Sequence, residues 1–320
     1  MKDHLQKFVF LAVIVVVVLA SRLSYPANSG AATADLDTQA QGATPQTVPL
    51  FTMPPATVSA PAGDGGTGPL VPATTTTPQP PALNDAAYLV ADLATGNVFA
   101  SFNPDRRWPT ASLTKLMTAT VAEDDMASDT LITITEPMFA VDPQDETTLA
   151  VGGTYTLHDL MYVLLLPSSN VAAEAIADFY GHDAFIATMN ARAAAWGMTS
   201  TFFDDPSGLS AANQSTANDF LKLAEVVYNK YPQILAITRN PSVTIIERNS
   251  GRPVPVKSID DFAGQPDFIG GKTGHTDQAD GNLFSIFRDN GRPIFIVVLG
   301  TDDRFIDTQK LYAWFKANYN

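Results

Sequence analysis

Three short motifs contain the residues of this sequence that are best suited to chemistry. They are Ser112-Leu113-Thr114-Lys115, then Ser168-Ser169-Asn170, then Lys272-Thr273-Gly274. In this order they form an S-x-x-K, S-x-N, K-T-G set, which supplies a serine nucleophile, a lysine base, a second hydroxyl and a second cation. The set predicts acyl transfer by a serine, without histidine, cysteine or a metal in the reaction.

The alternative interpretation is that each motif serves only the fold. Ser112 and Ser168 both lie where a helix is predicted to begin, and serine is a favoured N-cap there. A K-T-G is also compatible with a turn. Of the nine lysines, however, only Lys115 follows a serine by three residues, and only Lys272 begins a K-T-G. A second S-x-N, at 101–103, lies before the S-x-x-K on a predicted strand. The order of the motifs therefore favours catalysis.

The spacing of Ser112 and Lys115 suits a nucleophile and its base. Residues i and i+3 of a helix share one face, with about 5–6 Å between their Cβ atoms. Lysine accepts a proton only when it is neutral, so its pKa must fall from about 10.4. Burial and a second cation, Lys272, would both lower it. A helix that begins at Ser112 also places the Ser112 N–H where an oxyanion could bind.

The other two motifs are predicted to form the opposite wall and the floor of a cleft. Ser168 and Asn170 come from a loop between two helices. Ser168 is predicted to relay a proton to the leaving amine, and Asn170 to bind the substrate amide. Lys272 and Thr273 offer a cation and a hydroxyl for a free carboxylate.

Glycines surround the K-T-G motif. Gly270, Gly271 and Gly274 would leave a strand bare, so that a substrate peptide could lie along it as an added strand. The N–H of His275 is then a candidate second oxyanion donor. The His275 side chain is predicted to form a wall of the cleft rather than a base.

Composition excludes several functions. The 320 residues are 45% apolar, which is enough for a core, and the formal net charge of −14 argues against a nucleic-acid partner. Without cysteine, neither a disulfide nor a thiolate metal site can form. Four scattered histidines show no metal-ligand spacing: His4, His158, His182 and His275. No metal and no cofactor are expected.

The N-terminus predicts export. Lys2 and Lys7 precede an apolar run over residues 8–20, and Val18-Leu19-Ala20 is a permissible cleavage site. Thirteen apolar residues fit a signal peptide and are few for a membrane span, which needs about 20. Residues 1–23 are therefore predicted to be a signal peptide or an N-terminal membrane anchor. The protein is expected at the extracytoplasmic face of the membrane, or in the periplasm or cell wall.

Residues 24–85 are predicted to be a disordered tether. They are rich in Pro, Thr, Ala, Gly and Gln, and no Lys or Arg occurs between Arg22 and Arg106. Such a segment cannot bury enough apolar surface to fold. It would hold the folded domain, residues 86–320, away from the membrane.

The folded domain is predicted to be α+β, with strands at both ends of a helical middle. The predicted strands are 88–93, 98–102, 243–247, 282–288 and 293–299, and an Asn-Gly turn joins the last two. One predicted helix begins at Ser112, and the others span 157–166, 169–180, 184–196, 217–230 and 307–316. This order predicts an antiparallel sheet that is built from both ends of the domain and packs against a helical cluster.

Residues 86–320 resemble the D-alanyl-D-alanine carboxypeptidases among the low-molecular-mass penicillin-binding proteins. The matching stretches are 108–118, 167–170, 205–209, 271–277 and 304–308. The resemblance implies the fold shared by β-lactamases and DD-peptidases (the transpeptidase-like fold). It also implies a cell-wall peptidase that removes the terminal D-Ala of a peptidoglycan stem peptide through an acyl-enzyme, and that β-lactams acylate.

The chain departs from that family in two places. The family usually has Ala-Gly after the K-T-G-x-T segment, whereas here Asp280 stands between Ala279 and Gly281 and is predicted to alter the polarity of the cleft. Many relatives also carry a β-rich C-terminal domain and an amphipathic anchor helix. Because this sequence ends with the catalytic domain, the expected anchor is N-terminal.

Three other functions are compatible with the motifs. A class A β-lactamase shares them but needs a glutamate to activate the deacylating water, and residues 203–206 contain none. A D,D-endopeptidase that cuts crosslinks could use the same site. A non-catalytic wall-binding or β-lactam-sensing module is the third alternative, against which the intact Ser112 and Lys115 argue.

Overall fold

The computed structural model describes residues 78–142 and 148–319. The predicted signal peptide or anchor and most of the predicted tether lie outside the described residues. The strands are β1 (Ala87–Asp92), β2 (Val98–Phe102), β3 (Trp108–Pro109), β4 (Leu131–Thr133), β5 (Thr154–Thr156), β6 (Gln214–Ser215), β7 (Ser242–Ile246), β8 (Pro253–Lys257), β9 (Phe268–Thr276), β10 (Asp280–Asp289) and β11 (Arg292–Thr301). The helices are α1 (Thr114–Asp125), α2 (Glu136–Phe139), α3 (Leu157–Leu165), α4 (Asn170–Tyr180), α5 (His182–Ala195), α6 (Ala217–Lys230), α7 (Pro232–Thr238) and α8 (Arg304–Asn318).

The central sheet has five antiparallel strands in the order β2-β1-β11-β10-β9. Ala87 of β1 lies opposite Leu299 of β11, so the two ends of the domain meet in the middle of the sheet. Three further antiparallel pairs, β3–β6, β4–β5 and β7–β8, lie outside it. The predicted α+β architecture, with an antiparallel sheet built from both ends of the domain, is confirmed.

Both faces of the sheet are buried. On β1, Leu89 and Ala91 face the core formed with the helical middle of the chain, whereas Tyr88 and Val90 face a second core that includes Leu311 of α8. The alternation is the ordinary period of two of a strand. The helical cluster therefore covers one face, as predicted, and α8 covers the other. Burial on both faces explains the nearly continuous apolar sequences of β1 and of the middle of β11.

Side-chain caps fix several helix starts. The Thr156 hydroxyl accepts a hydrogen bond from the Asp159 N–H at 3.1 Å and begins α3, as predicted. Ser169, not Ser168, caps α4, because its hydroxyl accepts from the Ala172 N–H at 3.1 Å. Ser168 therefore does not cap a helix, so helix capping does not explain why a serine occupies this position.

Three local predictions were incomplete or wrong. Ser112 lies in a single 3-10 turn, Ala111–Leu113, and the α-helix begins only at Thr114. Asn170 is the first residue of α4, as the predicted helix at 169–180 implies, and is not part of the loop that was also predicted to carry it with Ser168. The short helix α7 and the strand β8 were not predicted. Both depend on packing against the rest of the domain more than on a strong local pattern.

Within residues 78–142 and 148–319, we find no helix that is both long enough and apolar enough to span a bilayer.

Candidate active site

The structure brings the three motifs together from three different elements. Ser112 comes from the turn before α1 and Lys115 from the first turn of α1. Ser168 and Asn170 come from the junction of α3 and α4, and Lys272 from the edge strand β9. The predicted residues therefore converge although 104 residues separate Ser168 from Lys272.

Lys115 lies at the centre of this group and is fully buried. Its Nζ lies 2.9 Å from Ser112 Oγ, 2.6 Å from Asn170 Oδ1 and 2.7 Å from the backbone oxygen of Ser207. An ammonium has three hydrogens to donate, and each of these three oxygens can accept one. A buried lysine needs such partners, because an unpaired buried charge is very unfavourable.

The turn that carries Ser112 is held in an unusual backbone conformation. Ala111 has φ +46°, which is uncommon for a residue other than glycine. On either side of Ala111, the hydroxyls of Thr110 and Thr114 lie 2.7 Å apart, and the Asn213 amide donates to Thr114 Oγ1 at 3.1 Å. The strain, on the order of 1–3 kcal/mol, persists because these contacts fix the turn.

A polar loop at residues 204–210 supports the other side of Lys115. One carboxylate oxygen of Asp205 accepts from the N–H groups of Ser207 and Gly208, and the other from the N–H of Ser210. These contacts hold the backbone oxygen of Ser207 toward Lys115. Gly208 has φ +91°, and a Cβ there would lie 1.9 Å from the backbone oxygen of Ala111, so the loop and the Ser112 turn are in direct contact.

Asn282 of β10 ties the approach to Ser112 to the central sheet. It is fully buried, and its amide nitrogen donates to the backbone oxygens of Pro109 and Thr110 at 2.9 and 3.2 Å. Its amide oxygen accepts from the Gly300 N–H at 2.9 Å. The nucleophile turn is thereby fixed to β10 and β11.

Ser168 pairs with the second lysine. Ser168 has φ +68°, and its hydroxyl accepts from Lys272 Nζ at 2.8 Å. Lys272 also donates to the backbone oxygen of Thr273 at 2.9 Å. The second hydroxyl of the site is thus paired with the second buried amine.

The electrostatics around Lys272 disfavour its charge. Burial, and then the positive charge of Lys115, hold the pKa of Lys272 well below its ordinary value. Asp260 acts in the opposite direction. Burial raises the pKa of Asp260 itself to about 6, while the Phe262 N–H and Lys272 lower it. Arg304 adds another positive charge nearby. The result is a buried region that is poor in negative charge.

The glycines of β9 have a different role from the one predicted. A Cβ on Gly270 would lie 2.6 Å from Thr238 Oγ1 of α7, and one on Gly271 would lie 2.3 Å from the backbone oxygen of Phe284. These two residues are glycine because neighbouring elements approach closely, not because a peptide needs the space. Gly274, in contrast, lies beside the Ser112 turn, where a Cβ would be 3.3 Å from the Ser112 nitrogen.

The remaining predicted residues lie at the end of β9. Thr273 is buried, whereas His275 is exposed. Asp280 is also exposed, has φ +51° and lies opposite Thr276 in the β9–β10 register. It therefore lies beyond the K-T-G motif at the same end of the sheet as the cleft, and its effect on polarity stays a prediction.

Sequence reasoning missed several residues that hold the site. Asp142 contacts Asn170, Asp205 and Asn213 shape the supporting loop, and Asn282 holds the nucleophile turn. The D-P-S-G sequence at 205–208 was the available signal for the loop, because such residues favour turns. Asn282 carried no local signal, since Pro109 and Thr110, which it holds, are more than 170 residues away.

The arrangement suits nucleophilic chemistry without a metal ligand set. Among the described residues, no three His, Cys, Asp or Glu side chains are grouped so that they could hold a metal ion. The residues form instead two hydroxyl–amine pairs, and a serine hydroxyl beside a buried amine is chemically suited to nucleophilic attack.

Solved structures with the same architecture come from serine DD-peptidases. A D-alanyl-D-alanine carboxypeptidase of Mycobacterium tuberculosis superposes with a TM-score of 0.69 and 28% identity over 77% of this chain and 95% of its own. A DD-transpeptidase of Streptomyces gives a TM-score of 0.68 and 26% identity over 75% and 99% of the two chains. The expected transpeptidase-like fold is confirmed.

Sequence comparison gives the same result. A D-alanyl-D-alanine endopeptidase of Pseudomonas aeruginosa is 32% identical over 247 residues, which cover 73% of this chain and 78% of that protein. The sequence profile of the D-alanyl-D-alanine carboxypeptidase family matches residues 74–303. That match covers more than two thirds of the sequence and contains all three motifs. The chain belongs to the D-alanyl-D-alanine carboxypeptidase family and is a serine DD-peptidase of the low-molecular-mass penicillin-binding type.

Proposed function

We propose that this enzyme removes the terminal D-Ala of a peptidoglycan stem peptide through an acyl-enzyme on Ser112, and that β-lactams acylate the same serine. The observation that carries the proposal is the 2.9 Å contact between Lys115 Nζ and Ser112 Oγ, with the amine also held by two carbonyl oxygens. No cofactor is needed for this chemistry.

The two carbonyl oxygens determine where the lone pair of a neutral Lys115 would point. A neutral amine has two N–H groups and one lone pair, and a carbonyl oxygen can only accept. The N–H groups therefore stay on Asn170 Oδ1 and the Ser207 oxygen, and the lone pair faces Ser112. As Ser112 Oγ attacks the carbonyl carbon of the substrate, its proton passes to Lys115.

Two backbone N–H groups are suited to the oxyanion. One is the N–H of Ser112. The other is that of His275, because N–H groups of alternate residues in a strand point to the same edge. The Gly271 N–H points away from β10 to Thr238 Oγ1 at 3.0 Å, so the His275 N–H, four residues on in unbroken register, also points away from β10. Preorganised donors of this kind stabilise the tetrahedral intermediate.

Ser168 is suited to deliver the proton to the leaving group. When the bond between the carbonyl carbon and the nitrogen of the last D-Ala breaks, that nitrogen must gain a proton. Ser168 donates its hydrogen to that nitrogen and takes a proton from the Lys272 ammonium, whose Nζ lies 2.8 Å away. The proton that Lys115 took from Ser112 then passes to Lys272, so that Ser168 and both lysines end the step as they began it. Water then attacks the ester and restores Ser112.

Lys272 and Thr273 are suited to bind the free carboxylate of the substrate. Lys272 is fully buried beside a second lysine, and burial together with Lys115 disfavours its charge. A substrate carboxylate would supply the missing negative charge and a charge-assisted hydrogen bond, which is roughly twice as strong as a neutral one. Asn170 would bind the substrate amide with the amide hydrogen that remains after its contact with Asp142.

The structure bears on one of the alternative functions, and the sequence comparison bears on another. A β-lactamase needs a carboxylate that is free to activate water. Of the two aspartates in the corresponding loop, Asp205 already accepts four hydrogen bonds within that loop, and Asp204 accepts one from the Ser210 hydroxyl. The D,D-endopeptidase alternative has a specific observation in its favour, because the Pseudomonas aeruginosa relative carries that name. It stays the second candidate.

Release of D-Ala tests the proposal directly. We expect the protein to release D-Ala from a pentapeptide that ends in D-Ala-D-Ala, and Ser112→Ala to release none. Penicillin should add its mass to the wild type and not to Ser112→Ala, and equal labelling of both would refute the assignment. Acylation without any turnover of peptide would indicate a β-lactam sensor instead.

A C-terminal amide separates the two peptidase activities. The amidated pentapeptide should be a poor substrate for the wild type, because its end carries no charge for Lys272. Lys272→Gln should depress kcat/KM strongly for the acid and much less for the amide. Equal wild-type rates on the two peptides would favour the endopeptidase.

We extend the proposal to the location of the enzyme. The charged and apolar N-terminus supports export, with residues 1–23 as signal peptide or membrane anchor and 24–85 as a tether for the domain at 86–320. A chain truncated to begin at Pro81 should remain soluble and should be acylated at the wild-type rate. Failure of this chain to fold would show that the domain begins earlier.

A further inference from the structure

A carboxylate outside the three motifs holds the amide of Asn170. Asp142 lies in the segment between α2 and β5, and its Oδ2 accepts a hydrogen bond from Asn170 Nδ2 at 2.7 Å. The other end of the same amide, Oδ1, accepts from Lys115 Nζ at 2.6 Å. Asn170 thus bridges the candidate base and an aspartate that is half-buried.

The two ends of an amide are not equivalent. The oxygen only accepts hydrogen bonds, and the nitrogen only donates them. An ionised carboxylate also only accepts, so Asp142 contacts the nitrogen and directs the oxygen toward Lys115. If the amide of Asn170 turned over, its NH2 group would face the Lys115 amine, and its oxygen would face the carboxylate. The oxygen would repel the carboxylate, and the NH2 group would repel a Lys115 ammonium or occupy the lone pair that a neutral Lys115 must offer to Ser112.

We propose that Asp142 is a positioning residue for the candidate base Lys115, and that it acts through the amide orientation of Asn170. The inference rests on the proposed function, because the orientation matters only if Lys115 accepts the proton of Ser112. Without Asp142, the amide can rotate and Lys115 loses one of the two acceptors that direct its lone pair. Displacements of about 1 Å at a reacting group can slow a reaction by about 100-fold.

A double-mutant cycle tests this route of action. The rate of acylation by a fluorescent penicillin would be measured for the wild type, Asp142→Ala, Asn170→Ala and the double variant. We expect Asp142→Ala to reduce the rate by about 10- to 100-fold in the wild type, and by less than 2-fold in Asn170→Ala. Equal reductions in the two backgrounds, or no reduction in either, would overturn the proposal.

Two further variants separate positioning from folding. Asp142→Asn keeps an acceptor oxygen for Asn170 and should retain at least a fifth of the wild-type rate, whereas a loss as large as that of Asp142→Ala would contradict the proposed hydrogen bond. Asp129→Ala, a change at an exposed aspartate, should leave the rate unchanged. Each rate is expressed per serine that can be acylated, so partial unfolding does not mimic the effect. A wild type that does not react with penicillin would refute the proposed function instead.

Discussion

Replacing Gly208 with alanine would displace the loop that holds Lys115. The new Cβ would lie 1.9 Å from the backbone oxygen of Ala111, and real Cβ contacts are essentially never below 3.0 Å, so a shift of about 1.1 Å is needed. That shift moves either the neighbouring Ser207 oxygen, now 2.7 Å from Lys115, or the turn that carries Ser112. Because about 1 Å at a reacting group can slow a reaction about 100-fold, we expect acylation by penicillin to slow by that factor.

Gly197 provides a matched control. It also has a left-handed backbone, with φ +72°, but a Cβ there would meet nothing within 4 Å. Gly197→Ala therefore carries a conformational penalty of about 1–2 kcal/mol without a displacement. We expect it to lower the Tm by a few degrees and to change the acylation rate by less than 2-fold. Acylation of Gly208→Ala within 3-fold of the wild type, with a Tm like that of the control, would refute the reasoning.

Three further predictions concern buried polar groups. Burial, and then Asp307, raise the pKa of Asp85 from 3.8 to about 7, so its contribution to stability is complete below pH 3.8 and declines as the pH rises to about 7. Asp85→Asn should therefore raise the free energy of unfolding at pH 8, by at most about 4 kcal/mol, and should not raise it at pH 4. Urea unfolding at the two pH values measures this, and a gain only at pH 4 would contradict it. Asn282→Leu removes the side-chain partner of the Pro109 oxygen and the Gly300 N–H, and one of two donors to the Thr110 oxygen. It should lower the unfolding free energy by about 3 kcal/mol and slow acylation at least 10-fold, as measured by urea unfolding and penicillin labelling. Unchanged values would show that the nucleophile turn is fixed by other contacts. Hydrogen bonds, first from Ser250, lower the pKa of Glu247 to about 2. The contribution of Glu247 to stability is therefore present above pH 4.5 and is lost as the pH falls through about 2. Glu247→Gln should lower the Tm at pH 7 and leave it unchanged at pH 2.

Turn and capping motifs predicted the elements whose ends are fixed by interactions between residues close in sequence. The β10–β11 hairpin follows from its Asn-Gly turn, and α3 follows from the cap at Thr156, so both were predicted within two residues of their observed ends. The helix α7 was missed because it is short and begins with a proline after Tyr231. Its position depends on the close approach of Gly270, which sequence alone does not reveal.

The candidate site was predictable only where residue type and spacing carry the chemistry. Ser112 and Lys115 are three residues apart, so their contact follows from helical geometry. The contacts of Asp142 with Asn170 and of Asn282 with Pro109 span 28 and 173 residues. Nothing in a single sequence distinguishes Asp142 or Asn282 from other aspartates and asparagines, because their roles arise only when distant segments pack together.

The pairing of β1 with β11 has a consequence for how the domain is made. Ala87 and Leu299 are partners, and 212 residues separate them along the chain. At about 5–20 residues per second, the ribosome needs roughly 10–40 s to make the intervening chain. During that time the edge of β1 that later joins β11 has no partner. Its backbone N–H and C=O groups can then pair with strands of other unfinished chains. We expect newly made chains to depend on binding by chaperones until β11 has emerged.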